Sequence, residues 1–240
     1  MNALDVQNLT KSFGTFSLRD VSFTLPMGSA LGLVGENGAG KSTTISLLLN
    51  LLPRDSGEVK VLGCDCTDSD FTQLKEDIGV VFDEACFPES ITAERVDGIE
   101  RYLYKNWDSE AYFARLRQFE LPRNRAFKQF SRGMKMKLSL AVALSHNAKL
   151  LLLDEATGGL DPIARDELLD ELKEFIADGR HAILLSSHIV SDIEKLCDSV
   201  AFLHRGTLEF CESRETLLAA HPGKTMEEII LDIAREERAR

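Results

Sequence analysis

Apolar and polar residues alternate in LDVQNLT (Leu4–Thr10) and again in VSFTL (Val21–Leu25), the period-two pattern of half-exposed antiparallel strands. A small antiparallel sheet is therefore expected first. The pattern changes at Ala30-Leu31-Gly32-Leu33-Val34, a continuous apolar run that reads as a buried strand, and a glycine-rich turn then leads into the helix-like TTISLLLNLL, residues 43–52. Beyond a strand-like Glu58–Leu62, short apolar stretches at Ile78–Phe82, Lys149–Leu153, His181–Leu185 and Ser199–Leu203 alternate with helical patterning, which predicts parallel αβ layering. From about Glu84 to His146 the strand pattern gives way to helical periodicity in TAERVDGIERYLYKN, SEAYFARLRQF and SRGMKMKLSLAVALSHN, a helical subdomain inserted into the αβ core. At the tail, Met226, Ile229, Ile230 and Ile233 fall at i, i+3, i+4 and i+7 behind Thr225, with Glu228 three residues after it. This predicts a capped amphipathic helix whose apolar stripe packs on its own domain.

Composition narrows the classes of partner. The 240 residues carry 28 Lys+Arg against 39 Asp+Glu, a formal charge of −11, which disfavours general affinity for DNA or RNA because that affinity rests on cations neutralising phosphates. No nucleic-acid partner is expected. The five cysteines form no CxxC pair and suit a reducing compartment; Cys64-x-Cys66 has no second ligand cluster and is assigned no metal role. No apolar run has the roughly 18–20 residues that cross a bilayer, and the start MNALDVQNLTKSFG lacks the pattern of a secretory signal. A cytosolic protein that meets a membrane only through a partner is expected.

The candidate chemistry begins in the turn after the buried strand. Gly35-Glu36-Asn37-Gly38-Ala39-Gly40-Lys41-Ser42 matches the phosphate-loop pattern GxxxxGK[ST] at every fixed position, with Thr43 opening the helix beyond. Glycines let the backbone wrap phosphates so that several N–H groups and a helix N-terminus face the anion; Lys41 adds a point charge and Ser42 a hydroxyl for Mg²⁺. A second element, Lys149–Leu153 followed by Asp154 and Glu155, delivers two carboxylates at the C-terminal end of an apolar strand, where ligands bind in open αβ sheets. Asp154 suits a magnesium held through water, and Glu155 a base that orients or deprotonates an attacking water.

With these motifs in order, the chain resembles the nucleotide-binding subunit of ATP-binding-cassette (ABC) transporters over nearly its whole length. The resemblance implies an α/β fold: a P-loop NTPase core with a mixed/parallel sheet, an N-terminal antiparallel β subdomain and the inserted helical subdomain. It further implies one ATPase domain over residues 1–240, with the core at about 1–83 and 147–211, the helical subdomain at about 84–146 and C-terminal helices at about 212–240. LTKSFG looks like the adenine-stacking segment, with Phe13 as the aromatic. Phe130-Ser131-Arg132-Gly133-Met134 stands where the family has its LSGGQ signature, so Ser131 and Gly133 are implied to contact the γ-phosphate of ATP held by an opposite subunit. Gly158-Gly159-Leu160-Asp161 resembles the D-loop, with Asp161 carried over and Gly158 where a serine is common. His188, after Ser186-Ser187, resembles the switch histidine.

Two departures stand out. Arg132 replaces a signature glycine, and IGVVFDE places Asp83 where the family has a magnesium-contacting glutamine, with Glu84 beside it. A carboxylate still ligates Mg²⁺ through oxygen but adds negative charge beside phosphates. Ala85 to Ala93, with Phe87 and Ile91 expected exposed or half-exposed, lie where the family docks its membrane subunit.

The implied function is that of an ATP-binding and ATP-hydrolysing subunit, Mg²⁺-dependent, pairing with a second ATPase subunit and energising export through a separate transmembrane chain, from the inner face of the membrane. A weakly hydrolysing nucleotide-binding regulator and a soluble mechanical ATPase of the same superfamily are the alternatives.

Overall fold

The alternating N-terminal segment folds into a long hairpin. In the computed structural model, which describes residues 1–83 and 87–239 with side chains through 235, strand β1 (Asn2–Phe13) turns at Gly14-Thr15 into β2 (Phe16–Pro26) and pairs with it antiparallel. Leu4, Val6 and Leu9 of β1 and Leu18, Val21, Phe23 and Leu25 of β2 are buried, so the hairpin presents an apolar face to the interior.

The continuous apolar runs become parallel strands buried on both faces. Strands β3 (Ala30–Val34), β6 (Ile78–Val81), β7 (Leu150–Asp154), β8 (Ala182–Ser187) and β9 (Ser199–His204) pair parallel in the order β9-β3-β8-β7-β6. Because successive side chains point to opposite faces, each strand feeds two cores. Leu31, Leu33, Leu150, Leu152, Leu184 and Leu203 face the antiparallel hairpin, whereas Val34, Leu151, Leu153, Ile183, Leu185 and Phe202 face the helices of the opposite side.

Strands β4 (Ser56–Val61) and β5 (Cys64–Asp65) extend the hairpin side. The two halves meet through β10 (Thr207–Ser213), which returns antiparallel along β9 and touches β2 by one parallel pair, Thr207↔Arg19. Among the described residues the sheet order is β5-β4-β1-β2-β10-β9-β3-β8-β7-β6. Neither β10 nor β5 is evident in the sequence pattern. From β3 onward the bounds of the strands that are evident agree to within two residues, whereas β1 and β2 run up to three and five residues beyond the alternating segments that announced them.

Helix α1 (Lys41–Leu48) begins two residues before the expected run and stops earlier, where Asn50 takes φ 51°. After the four-residue α2 (Phe71–Leu74), three α-helices are described between β6 and β7, α3 (Ala93–Leu103), α4 (Ser109–Gln118) and α5 (Arg132–Ala143), joined by loops. Thr92, Asp108 and Ser131 cap them, each side chain accepting from an amide of the first turn. Helices α6 (Pro162–Ile176) and α7 (Val190–Leu196) cover the parallel sheet, with α8 (Arg214–Ala220) and α9 (Met226–Ala239) at the end. The expected cap of α9 is present: Glu228 N donates to Thr225 Oγ1 at 3.2 Å and Thr225 N to Glu228 Oε2 at 2.8 Å. Met226, Ile229 and Ile230 are buried in the main core.

One expectation is corrected. Ile91 is not exposed or half-exposed but buried in the main core at 7% exposure, because its carbonyl accepts from Phe127 N at 2.8 Å and the adjoining Thr92↔Ala126 bridge holds its segment against the chain around Phe127. Phe87 is half-buried, edge-on to the Phe127 ring at 5.5 Å. Glu84 and Ala85 lie outside the described residues.

Candidate phosphate and nucleotide site

The loop between β3 and α1 is shaped by its glycines and by its lysine. Gly38 and Gly40 take φ 83° and 111°, conformations open to glycine, and a Cβ on Gly40 would come within 3.0 Å of Leu18 and Phe16 side chains. Lys41, buried at 6%, curls back so that Nζ donates to Gly35 O at 2.7 Å and Glu36 O at 3.3 Å, wrapping the loop around its own cation. Ala39 is buried, whereas Glu36, Asn37, Gly38 and Ser42 reach the surface at the mouth of α1. The first turn of α1 holds no acidic residue, so its N-terminus keeps its attraction for anions.

A cavity of about 550 Å³ opens over this loop, lined by Asn37, Gly38, Gly40, Lys41, Ser42 and Thr43 together with Phe16, Asp83 and Glu155. Strand β7 supplies the acids. Asp154 is 4% exposed and its Oδ1 accepts from Ser186 Oγ on the neighbouring β8 at 2.8 Å, which fixes the carboxylate at the strand end. Glu155 follows with φ 52°, sparsely populated by residues other than glycine and a conformation that gathers at functional sites. Its amide donates to Ser186 O at 2.9 Å, its Oε1 lies 3.3 Å from Lys41 Nζ, and its Oε2 meets His188 Nδ1 at 2.6 Å. Lysine, glutamate and histidine thus form one chain of contacts that runs from the cavity lining, Lys41 and Glu155, to His188 beside it.

Other expected residues lie apart from this constellation in a single chain. Phe13 sits at the tip of the hairpin, 38% exposed with Lys11 Nζ 5.6 Å from its ring centre, and is not part of the cavity lining. Phe16 is the aromatic in that lining, and the period-two face it shares with Leu18 was the available signal. Ser131 caps α5, its Oγ accepting from Met134 N at 3.2 Å, with Gly133 the second residue of the helix. Asp161 caps α6 by accepting from Ala164 and Ile163 amides at 3.0 and 3.1 Å, and those bonds hold its carboxyl below the usual range. Asp83, by contrast, is in the cavity lining, and it pairs with Arg132.

A second cavity of about 370 Å³ between α4, α5 and α6 sets Glu167, Asp170, Glu171 and Glu174 against Lys137, a balance that repels polyphosphate.

Comparison with known proteins agrees with the geometry. A family model described as ABC transporter matches residues 18–158, more than half of the chain. The chain belongs to the ABC transporter family. The lantibiotic transport ATP-binding protein SrtF of Streptococcus pyogenes is 35% identical, over 85% of this chain and 88% of its own. The linearmycin resistance ATP-binding protein LnrL of Bacillus subtilis is 30% identical, over 93% and 73%. The Nod factor export ATP-binding protein I of Rhizobium meliloti is 37% identical, over 85% and 62%. A solved ATP-binding subunit of an ABC transporter superposes with a TM-score of 0.86 at 28% identity, covering 96% of this chain and 98% of that one. This ABC chain is an ATPase with a P-loop NTPase fold.

The residues at the ABC site also fit a magnesium ion. A hydroxyl at Ser42, a buried carboxylate at Asp154 and a second carboxylate at Asp83 are hard oxygen donors, and Glu155 Oε1 is buried without a hydrogen bond of its own.

Proposed function

We propose that this chain is the Mg²⁺-dependent ATPase subunit of an exporter, pairing with a second ATPase subunit around two ATP molecules and driving a separate transmembrane chain. The observation that carries the reading is the contact chain Lys41–Glu155–His188, which starts in the cavity lining. The relatives named for lantibiotic transport, linearmycin resistance and Nod factor export support the direction, and among the described residues no helix is long and apolar enough to cross a membrane. The protein then works at the cytoplasmic face of the membrane, held there by its partner.

Each residue has a task in that scheme. The phosphate-loop amides and the N-terminus of α1 bind the β- and γ-phosphates, and Lys41 neutralises the charge that grows on them during transfer. Ser42 and Asp154 hold Mg²⁺, with Asp83 adjoining. The bound metal supplies charge stabilisation across the phosphate oxygens. Glu155 accepts the proton of the attacking water. His188, bonded to its Oε2, orients that carboxylate and presents its other ring nitrogen to the γ-phosphate. Ser131, Gly133 and Asp161 lie apart from the single-chain site because they serve the ATP of the opposite subunit.

ATP turnover by the purified chain, measured across protein concentrations that span dimerisation beside Glu155→Gln, tests the proposal. Magnesium-dependent hydrolysis that rises cooperatively with concentration and vanishes in the variant is expected. A rate strictly proportional to protein concentration throughout, or a fully active variant, overturns it.

A further inference from the structure

Three positions at which this chain departs from the ABC pattern meet at one place. Arg132, the first residue of α5, extends across the turn after β7 and pairs its guanidinium with Asp83, 49 residues earlier at the end of β6. The stem of Arg132 lies on the glycine turn: a Cβ on Gly159 would come within 3.1 Å of Arg132 Cδ and 3.3 Å of Nε, and one on Gly158 within 3.0 Å of Glu155 O and 3.9 Å of Arg132 Nη2. Asp83, Arg132 and Gly158 are therefore parts of one arrangement. Asp83 is also a wall residue of the phosphate cavity, beside Lys41, Ser42 and Glu155.

We propose that Arg132 is a positioning residue of the phosphate cavity, which crosses the Gly158-Gly159 turn to neutralise and orient the Asp83 carboxylate in the cavity wall. The inference rests on the Mg²⁺–ATP reading of the cavity and deepens it. A bare carboxylate at that wall repels a polyphosphate, and a guanidinium fork is suited to hold a carboxylate in a fixed plane while cancelling its charge. Both side chains remain partly open, 62% for Arg132 and 45% for Asp83, so the pair contributes little to folding itself and acts on the field felt by the ligand. The same pair ties the start of α5 to the end of β6, and so couples the signature segment to the cavity of its own chain.

The test uses the full chain as wild type, Arg132→Ala, Arg132→Lys, Asp83→Asn and the Asp83→Asn/Arg132→Ala double variant. Binding of a non-hydrolysable ATP analogue is read by equilibrium fluorescence with Mg²⁺, at protein concentrations below dimerisation and at low and high salt, beside thermal melts without nucleotide. Arg132→Ala should weaken binding about three- to ten-fold at low salt and less at high salt, as expected for one uncompensated charge near a polyanion. Arg132→Lys should retain most of the affinity, and in the Asp83→Asn background the Arg132→Ala loss should disappear. A loss of equal size with Asp83 neutralised, or no loss at all, overturns the proposal. Should wild type bind no nucleotide, the phosphate-site reading fails, whereas the pairing is still read without nucleotide from the Arg132 side-chain Nε–H resonance: a resonance that Asp83→Asn leaves unmoved sinks it.

Discussion

Glu155 sits in the left-handed region at φ 52°, with its backbone amide bound to Ser186 and its two carboxylate oxygens facing Lys41 and His188. Such a conformation costs on the order of 1–3 kcal/mol and persists because the surrounding bonds over-determine it. Glu155→Gln preserves the shape and removes the base, so ATP hydrolysis should fall by about 10²–10⁴ while nucleotide binding, followed by equilibrium fluorescence, is kept. Lys41→Ala removes a buried cation and should weaken ATP binding by about 1.5–3 kcal/mol, roughly ten- to a hundred-fold by titration. The residues that carry these predictions were legible in the sequence because the loop is a contiguous pattern and the acids end an apolar strand. What could not be read there was distance: the Asp83–Arg132 contact joins residues 49 apart, and the place of Phe16 in the cavity depends on where the hairpin returns.

At the scale of elements, the tail helix was fully readable, since periodicity and a Thr-x-x-Glu cap are both local. Thr225→Ala should therefore cost about 0.5–2 kcal/mol in a denaturant titration. The contact between α3 and α4 is of another kind. Asp97 of α3 is 2% exposed, and burial pushes its carboxyl up, but hydrogen bonds from Ser109, Arg101 and Trp107 outweigh burial and leave it lowered. A depressed carboxyl contributes stability that is present above its unfolded value, about 3.9, and is lost as pH falls through the folded one. Trp107, the one tryptophan of the chain, donates from Nε1 to Asp97 Oδ1 at 2.9 Å and reports the change. Acid should shift Trp107 emission below about pH 4, and Asp97→Asn should remove that transition at a cost of about 1–3 kcal/mol. Strand β10 escaped the sequence reading because its residues are mostly half-exposed on both faces and show no clean alternation. The Arg205-Gly206 turn before it, with φ 47° and 85°, was the signal that could have revealed it.

Across the whole molecule, the antiparallel and parallel halves of the sheet share an apolar core but little backbone pairing. Their joint is the pair Thr207↔Arg19 and the turn beside it, where Arg19 N donates to Gly206 O at 2.8 Å and Gly206 N donates to Ala39 O of the phosphate loop at 3.0 Å. A Cβ on Gly206 would fall 1.9 Å from Ser17 O, so Gly206→Ala should cost more than about 2 kcal/mol by denaturant titration and weaken ATP binding together with stability. Gly206 thus joins two events that are usually separate. When the seam between the halves breathes, the loop that grips phosphate loses one of its struts in the same motion. ATP should then damp that breathing from a distance: the amides of Arg19 and Gly206 should exchange hydrogen for deuterium at matching rates, and both should slow when the cavity fills.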